Sequence, residues 1–149
     1  DNLNIHGAID LQTGRTVMRE VDSVNAESTI RLLAEIETAY PRTRRIHVFL
    51  DNARCHHAHL VRAWLARQGC RIRLHFVPPY CPHLNPIERL WGLMHRHVTH
   101  NKSYASLLKF SAAIREFLHH YVTRKWVDLC DDVSDNFRII YPANYRIIG

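Results

Sequence analysis

Two acidic residues, Asp51 and Glu88, stand where a carboxylate can be held rigidly enough to bind a metal ion. Asp51 directly follows the apolar run Ile46–Leu50, and Glu88 lies in the first turn of a helix predicted to begin at Pro86. Divalent cations such as Mg²⁺ prefer carboxylate oxygens, and ions held in this way activate a water or hydroxyl and stabilise the leaving oxygen of a phosphodiester. The pair therefore predicts metal-dependent phosphoryl transfer.

Each carboxylate also has a purely structural interpretation. Asn85 precedes the helix and Glu88 occupies its third position, so the two residues can form a capping box worth about 1 kcal/mol. Asp51 can open a turn and cap the segment that begins near Arg54. A simple cap does not require the stiff, proline-rich approach of residues 78–86. Two converging carboxylates would also repel each other unless a cation bound between them, so we favour the metal-binding interpretation.

Three histidines, His56, His57 and His59, follow Asp51 closely. One of them can contact phosphate or a metal-bound water. The sequence favours the simpler interpretation, in which all three are exposed at the start of a helix. Their role stays open at this point.

Short strands and amphipathic helices alternate along the chain and must position these residues. The alternating segment 3–9, the turn at 10–14 and the return strand at 16–21 predict a β-hairpin. Asn25 is predicted to cap a helix that runs to about Tyr40. The later predicted elements are a strand at 45–50, a helix at 56–68 followed by Gly69 at its C′ position, a strand at 71–77 with Ile72, Leu74 and Phe76 inward, helices at 86–100 and 103–121, and an irregular tail from Asp131.

This order of elements predicts an α/β fold, a mixed sheet with helices on both faces, in a single domain that covers residues 1–149. The strand at 45–50 is apolar apart from His47, which predicts burial on both of its faces. In such sheets the functional residues lie at the carboxyl ends of the strands. Asp51 occupies such an end.

The composition indicates which kind of partner the protein binds and where in the cell it is located. A net charge of +6 suits a polyanion such as nucleic acid, although a solvated basic surface explains the charge equally well. No apolar run reaches the roughly 18 residues that span a bilayer, and the amino terminus lacks the pattern of a secretory leader. The sequence therefore predicts a cytoplasmic protein without membrane segments.

Two longer motifs surround the acids and carry a family resemblance. The first runs from Leu50 through Asp51-Asn52-Ala53 to His56, and the second from Pro78-Pro79-Tyr80 through Asn85-Pro86-Ile87-Glu88 to Trp91. Together they resemble the catalytic domain of bacterial insertion-sequence transposases, the DDE enzymes of the mariner-like superfamily, which have a ribonuclease-H-like fold. The 36 residues between the two acids match an interval in the mid-thirties in that family.

The resemblance implies roles for individual residues. Asp51 would be the family's second catalytic Asp and Glu88 its catalytic Glu, both binding Mg²⁺ or Mn²⁺, while Asn52 and Asn85 would support the site. The first strand and the first catalytic Asp of the family would lie upstream of residue 1, so this chain would be an incomplete catalytic domain. Asp10, at the end of a predicted strand, is the one substitute within the chain.

The resemblance also implies an activity and its partners. The enzyme would cleave DNA at the terminal inverted repeats of an insertion sequence and transfer the strands to target DNA, as a homodimer associated with the bacterial nucleoid. Two alternatives stay open: a ribonuclease-H-like nuclease that cuts without joining, and a catalytically inactive, DNA-binding remnant of a transposase.

Overall fold

A computed structural model of the chain describes residues 3–51, 53–77 and 86–134, without the side chains of Asp131 and Ser134. The proline-rich segment 78–85, Asn52 and the apolar stretch 138–140 lie outside the described residues. The elements are β1 (Asn4–Ile9), β2 (Thr16–Val21), α1 (Ala26–Ala39), β3 (Ile46–Leu50), a 3₁₀ turn (Arg54–His57), α2 (His59–Leu65), β4 (Ile72–Phe76), α3 (Pro86–Met94) with a π-helical extension (His95–Thr99), α4 (Leu107–Glu116) with a π-helical extension (Phe117–Tyr121), α5 (Val122–Arg124) and α6 (Trp126–Ser134).

The four strands form two two-stranded sheets, one antiparallel and one parallel. In the hairpin of β1 and β2, Asn4 lies opposite Val21 and Ile9 opposite Thr16. In the parallel pair, β3 and β4 are aligned from Ile46 opposite Ile72 to Leu50 opposite Phe76. The predicted hairpin and both later strands are thus confirmed.

Helices pack on both faces of the β1–β2 hairpin, as predicted, and on one face of β3 and β4. On one face, α1 and α2 bury Leu32, Leu33, Ile36 and Val61 against Ile72 of β4, and Ala8 and Val48 join this cluster. On the other face, α3, α4 and α6 build a second cluster around Leu90, Ile114 and Val133, and Ile5 and Ile9 of β1 pack against it. Strand β1 therefore contributes alternate residues to two hydrophobic layers.

The start of α1 follows from its local sequence. The Asn25 side chain accepts a hydrogen bond from the Ser28 backbone N–H at 2.9 Å, and Ser28 Oγ in turn accepts from the Asn25 N–H at 2.8 Å. This reciprocal capping box satisfies two amide groups that a helix start otherwise leaves unpaired. The predicted capping role of Asn25 is confirmed.

The other end of α1 is joined to β4 through Glu37. Its carboxylate accepts from the Arg71 backbone N–H at 2.8 Å and forms an ion pair with Arg67, while its side chain is only 16% exposed. Burial raises the pKa of Glu37, but the hydrogen bonds and charges of Arg71 and Arg67 outweigh it, so the pKa lies below its ordinary value. Ionised Glu37 therefore stabilises the fold.

Replacing Glu37 with Gln is expected to lower the free energy of unfolding by about 1–3 kcal/mol at pH 7, because hydrogen bonds to a charged group are lost. A carboxylate whose pKa is lowered by folding stabilises the protein above its unfolded value of 4.5, and this contribution disappears as the pH falls through the folded value. Urea unfolding at pH 7 and pH 3 should therefore show a difference between the two proteins that shrinks in acid. Glu35→Gln is the control, because the pair of Glu35 with Arg19 is more exposed. A difference for Glu37→Gln that is independent of pH would contradict the assignment.

The predicted burial of β3 on both faces is wrong. His47 and Phe49 are exposed, Phe49 to 60%. The reason is the placement of α3, α4 and α6, which cover the β1–β2 hairpin. Phe49 is stacked on His75 of β4 at a centroid distance of 4.9 Å, which shields part of this open face. On β4, Phe76 shares the face of Ile72 and Leu74, as predicted, but is 38% exposed at the end of the strand.

The carboxyl-terminal helices also differ from the prediction. The helix expected from residue 103 begins at Leu107, because Ser106 Oγ caps it by accepting from the Lys109 N–H at 3.2 Å. Residues 131–134, expected to be irregular, belong to α6. Burial of Trp126 and Val133 in the second cluster holds α6 against the hairpin, and no local sequence signal announces such a long-range contact.

The helix predicted at 56–68 is divided. Residues 54–57 form the 3₁₀ turn, and α2 covers only His59–Leu65. Gly69 has a φ of 79° and lies in the turn beyond the end of α2, so its left-handed conformation, but not its exact position, agrees with the prediction.

Candidate active site

Asp51 lies immediately beyond the carboxyl end of β3. The parallel ladder continues to this point, since the Val77 N–H donates to the Leu50 carbonyl at 2.8 Å. Asp51 Oδ1 accepts from the Ala53 N–H at 3.0 Å, which confirms the predicted turn. The side chain is nevertheless 58% exposed. Asp51 thus combines a fixed backbone position with a carboxylate that solutes can reach.

His56 contacts the same residue from the 3₁₀ turn. Its Nδ1 lies 3.0 Å from Asp51 Oδ1 and 3.1 Å from the Asp51 carbonyl oxygen, and its side chain is only 10% exposed. The expectation that His56 is an exposed residue at a helix start is therefore wrong. The tight turn over Arg54–His57 brings the ring back to Asp51, whereas a regular helix would point it elsewhere. His57 and His59 are exposed, as predicted.

His6 of β1 completes this group of side chains. Burial lowers the pKa of His6 and nearby His56 lowers it further, while Asp51 acts in the opposite direction. The Nδ1 atom of His6 is buried and has no hydrogen-bond partner within the described part of the chain. Sequence reasoning missed His6, although a polar ring between the apolar Ile5 and the small Gly7 was a usable signal.

Glu88 is exposed in the first turn of α3. Its placement depends on Trp91, one helical turn and roughly 5 Å further along the axis. The Trp91 ring lies on Gly7 of β1, where a Cβ would be 3.2 Å from Trp91 Cη2, and Trp91 packs against the second cluster. Trp91 thereby anchors α3 beside the strand that carries His6. No described residue pairs with Glu88, and Asn85, its predicted capping partner, lies outside the described residues.

Asp10 belongs to the opposite end of the fold. Its Oδ1 accepts from the Gln12 N–H and its Oδ2 from the Tyr40 hydroxyl, both at 2.8 Å. The Tyr40 carbonyl accepts from Arg71, which lies just before β4, so Asp10 is at the amino end of the parallel strands. Asp51 is at their carboxyl end, roughly 15 Å away along a strand of this length. Asp10 therefore cannot serve as the third acid.

The carboxylates suit a hard divalent cation. Among residues 3–51, 53–77 and 86–134, no three side chains of His, Cys, Asp or Glu form a metal-binding cluster. Mg²⁺, however, usually keeps several waters and is held by one or two carboxylates together with substrate phosphates. Asp51 and Glu88 are exposed acids of this kind, so the residues present fit such an ion.

Comparisons with known proteins identify the family of the chain. Residues 1–111 match the family described as DDE superfamily endonuclease. Over 112 residues the chain is 28% identical to the insertion element IS630 uncharacterized 39 kDa protein of Shigella sonnei, an alignment that covers 75% of this chain and 32% of that protein. The chain thus spans about a third of the length of this relative.

A likeness to a solved structure supports the fold. A chain in the cryo-EM structure of the simian T-cell lymphotropic virus intasome in complex with PP2A regulatory subunit B56 gamma superimposes with a TM-score of 0.59. The two chains are 18% identical, and the match covers 79% of this chain and 43% of the other. The predicted ribonuclease-H-like α/β fold is confirmed.

The family match over residues 1–111 defines the class: this chain belongs to the DDE superfamily of endonucleases. The family predicted from the two sequence motifs is thereby confirmed. Enzymes of this superfamily use divalent metal ions. None of the helices in the described ranges is long and apolar enough to cross a membrane.

Proposed function

We propose that this chain provides the catalytic domain of a DNA transposase. The observation that carries the proposal is Asp51, an exposed carboxylate mounted at the carboxyl end of β3 in a chain of the DDE superfamily. Glu88, exposed at the start of α3, would be the second acid of the site. With Mg²⁺ or Mn²⁺, the whole protein would cleave DNA at the ends of an insertion sequence and join those ends to target DNA. The similarity to a protein of the insertion element IS630 supports this substrate.

The chemistry requires positioning and charge neutralisation more than a covalent enzyme intermediate. Asp51 and Glu88 would hold the divalent cation, which supplies an activated water or hydroxyl and stabilises the leaving oxygen of the phosphodiester. Ala53 and His56 hold the Asp51 carboxylate in one orientation. The first acid of the family would lie upstream of residue 1, as the family resemblance implies.

The partners of the proposed reaction follow from its chemistry. The net charge of +6 favours DNA, and Arg96 and Lys102 are exposed near the end of α3, where they can follow a phosphate backbone. Transposition must bring two element ends together, so a homodimer is the assembly we propose. The DNA substrates would be the terminal inverted repeats and a target site in the bacterial nucleoid, which places the proposed activity in the cytoplasm.

A catalytically inactive, DNA-binding remnant is the second candidate. The observation that favours it is the missing three-residue metal cluster among the described residues. The basic charge and the fold would suffice for DNA binding without cleavage.

An assay of strand cleavage and strand transfer separates these functions. The full-length protein that contains this chain is incubated with Mg²⁺ and a duplex that carries the terminal repeat, and the control duplex carries a scrambled repeat. A transposase is expected to nick the repeat specifically and to join the freed 3′ end to a second duplex, and EDTA should abolish both products. Cleavage without joining would indicate a nuclease, and binding without cleavage would indicate the remnant.

A further inference from the structure

We propose that His56 is a positioning residue that orients Asp51 for metal binding, an inference that rests on the function proposed above. His56 Nδ1 lies within 3.1 Å of two acceptors of one residue, Asp51 Oδ1 and the Asp51 carbonyl oxygen. Neither acceptor can donate a hydrogen, so Nδ1 must carry the ring proton. The imidazole therefore joins the backbone of Asp51 to its side chain and fixes the side-chain torsion angles.

This bridge makes the two carboxylate oxygens of Asp51 different. Oδ1 accepts from the Ala53 N–H at 3.0 Å and also lies 3.0 Å from His56 Nδ1. Of the residues that the structure describes, none donates to Oδ2. The geometry therefore assigns Oδ2 as the oxygen that is available to a hard cation, on a side chain that is 58% exposed.

Burial allows His56 to perform this role. The ring is 10% exposed and has His6 of β1 as a neighbour, so its orientation is set by the fold rather than by solvent. An exposed Asp without such a support would have to be ordered when the cation binds, at a cost in side-chain entropy. Groups that orient a metal ligand in this way typically contribute about 10–100-fold to metal affinity.

Three substitutions of His56 test its positioning role, because they differ in where residue 56 carries an N–H group that can donate to Asp51. In His56→Asn the amide nitrogen is attached to Cγ, as Nδ1 is in histidine, so the hydrogen bond to Asp51 can be retained. In His56→Gln the donor lies one bond further out, and in His56→Ala it is absent. We expect the Ala and Gln variants of the full-length protein to bind Mn²⁺ about 10–100-fold more weakly in an EPR titration, and Asn to restore most of the affinity.

The control is His59→Ala, which removes an exposed histidine from the start of α2 and should leave Mn²⁺ affinity unchanged. A second readout requires no metal. Nitrogen-15 NMR of the wild type in alkaline buffer should show the His56 proton on Nδ1, the less common tautomer of free histidine. Thermal unfolding of each variant shows whether a loss of affinity merely reflects a loss of fold.

The outcomes separate this inference from the proposed function. Mn²⁺ affinity at the wild-type level in a folded His56→Ala variant, or an Asn variant as weak as Ala, would overturn the role of His56. Even if the role of His56 is overturned, loss of Mn²⁺ binding in Asp51→Ala in the same titration would support the proposed metal site. If Asp51→Ala binds Mn²⁺ as the wild type does, the proposed site itself is wrong.

Discussion

Strand cleavage by the full-length protein is expected to fall more than about 100-fold in Asp51→Asn, because losing a metal ligand costs more than losing a group that only orients one. The carbonyl oxygen of the introduced asparagine side chain can still accept from Ala53, so the turn beyond β3 should persist while the negative charge is lost. Glu88→Gln is expected to have a similar effect. Single-turnover cleavage of terminal-repeat DNA at saturating Mg²⁺ measures both.

A matched control separates catalysis from helix capping. Glu27 occupies the first turn of α1, as Glu88 does in α3, and is likewise exposed. If Glu88 only interacts favourably with the start of its helix, Glu27→Gln and Glu88→Gln should each cost about 0.3–1 kcal/mol of stability and leave cleavage intact. Wild-type cleavage by Asp51→Asn or Glu88→Gln would refute the assignment of these acids.

The second large effect is expected at Gly14, in the turn between β1 and β2. Its φ is +71°, and a Cβ there would lie 2.6 Å from Cδ2 of Trp126 in α6. Gly14→Ala should therefore combine about 1–2 kcal/mol of left-handed backbone strain with about 1–3 kcal/mol of overpacking. A loss of about 2–5 kcal/mol is a large share of the roughly 5–15 kcal/mol that stabilises an ordinary domain.

Gly69 provides the control for this prediction. Its φ of +79° is nearly the same, but apart from its chain neighbours no described residue has an atom within 4 Å of a Cβ built there. Gly69→Ala should show only the backbone contribution of about 1–2 kcal/mol. The measurement is the urea midpoint of each variant, and equal losses at the two glycines would show that contact with Trp126 does not matter.

The sequence predicted those elements whose structure depends on interactions between residues close together in the chain. Asn25, the turn before Gly14 and the alternation in both hairpin strands each act over a few residues, and the structure agrees with them. The position of Asp51 at the end of a strand was likewise predictable from the local sequence. The placement of Glu88 beside β1 depends instead on Trp91 meeting Gly7, a contact that only the fold creates.

The features that the sequence did not predict depend on tertiary contacts. The composition of β3 is that of a strand buried on both sides, but the neighbouring helices cover the hairpin instead. His56 was expected in a regular helix, and a 3₁₀ turn places it against Asp51. His6 and Asp51 are 45 residues apart in sequence, so no local periodicity relates them.

The contacts between the first hairpin and the last helices also determine when the protein can finish folding. Thr16 Oγ1 donates to the Leu118 carbonyl across 102 positions, and the Trp126 indole N–H donates to the Gln12 carbonyl across 114. The hairpin can pair as soon as it leaves the ribosome, but these two contacts cannot form until Leu118 and Trp126 have also been made. Contacts of such long sequence separation slow folding. The β1–β2 hairpin, near the start of this chain, is therefore among the last elements to reach its final packing.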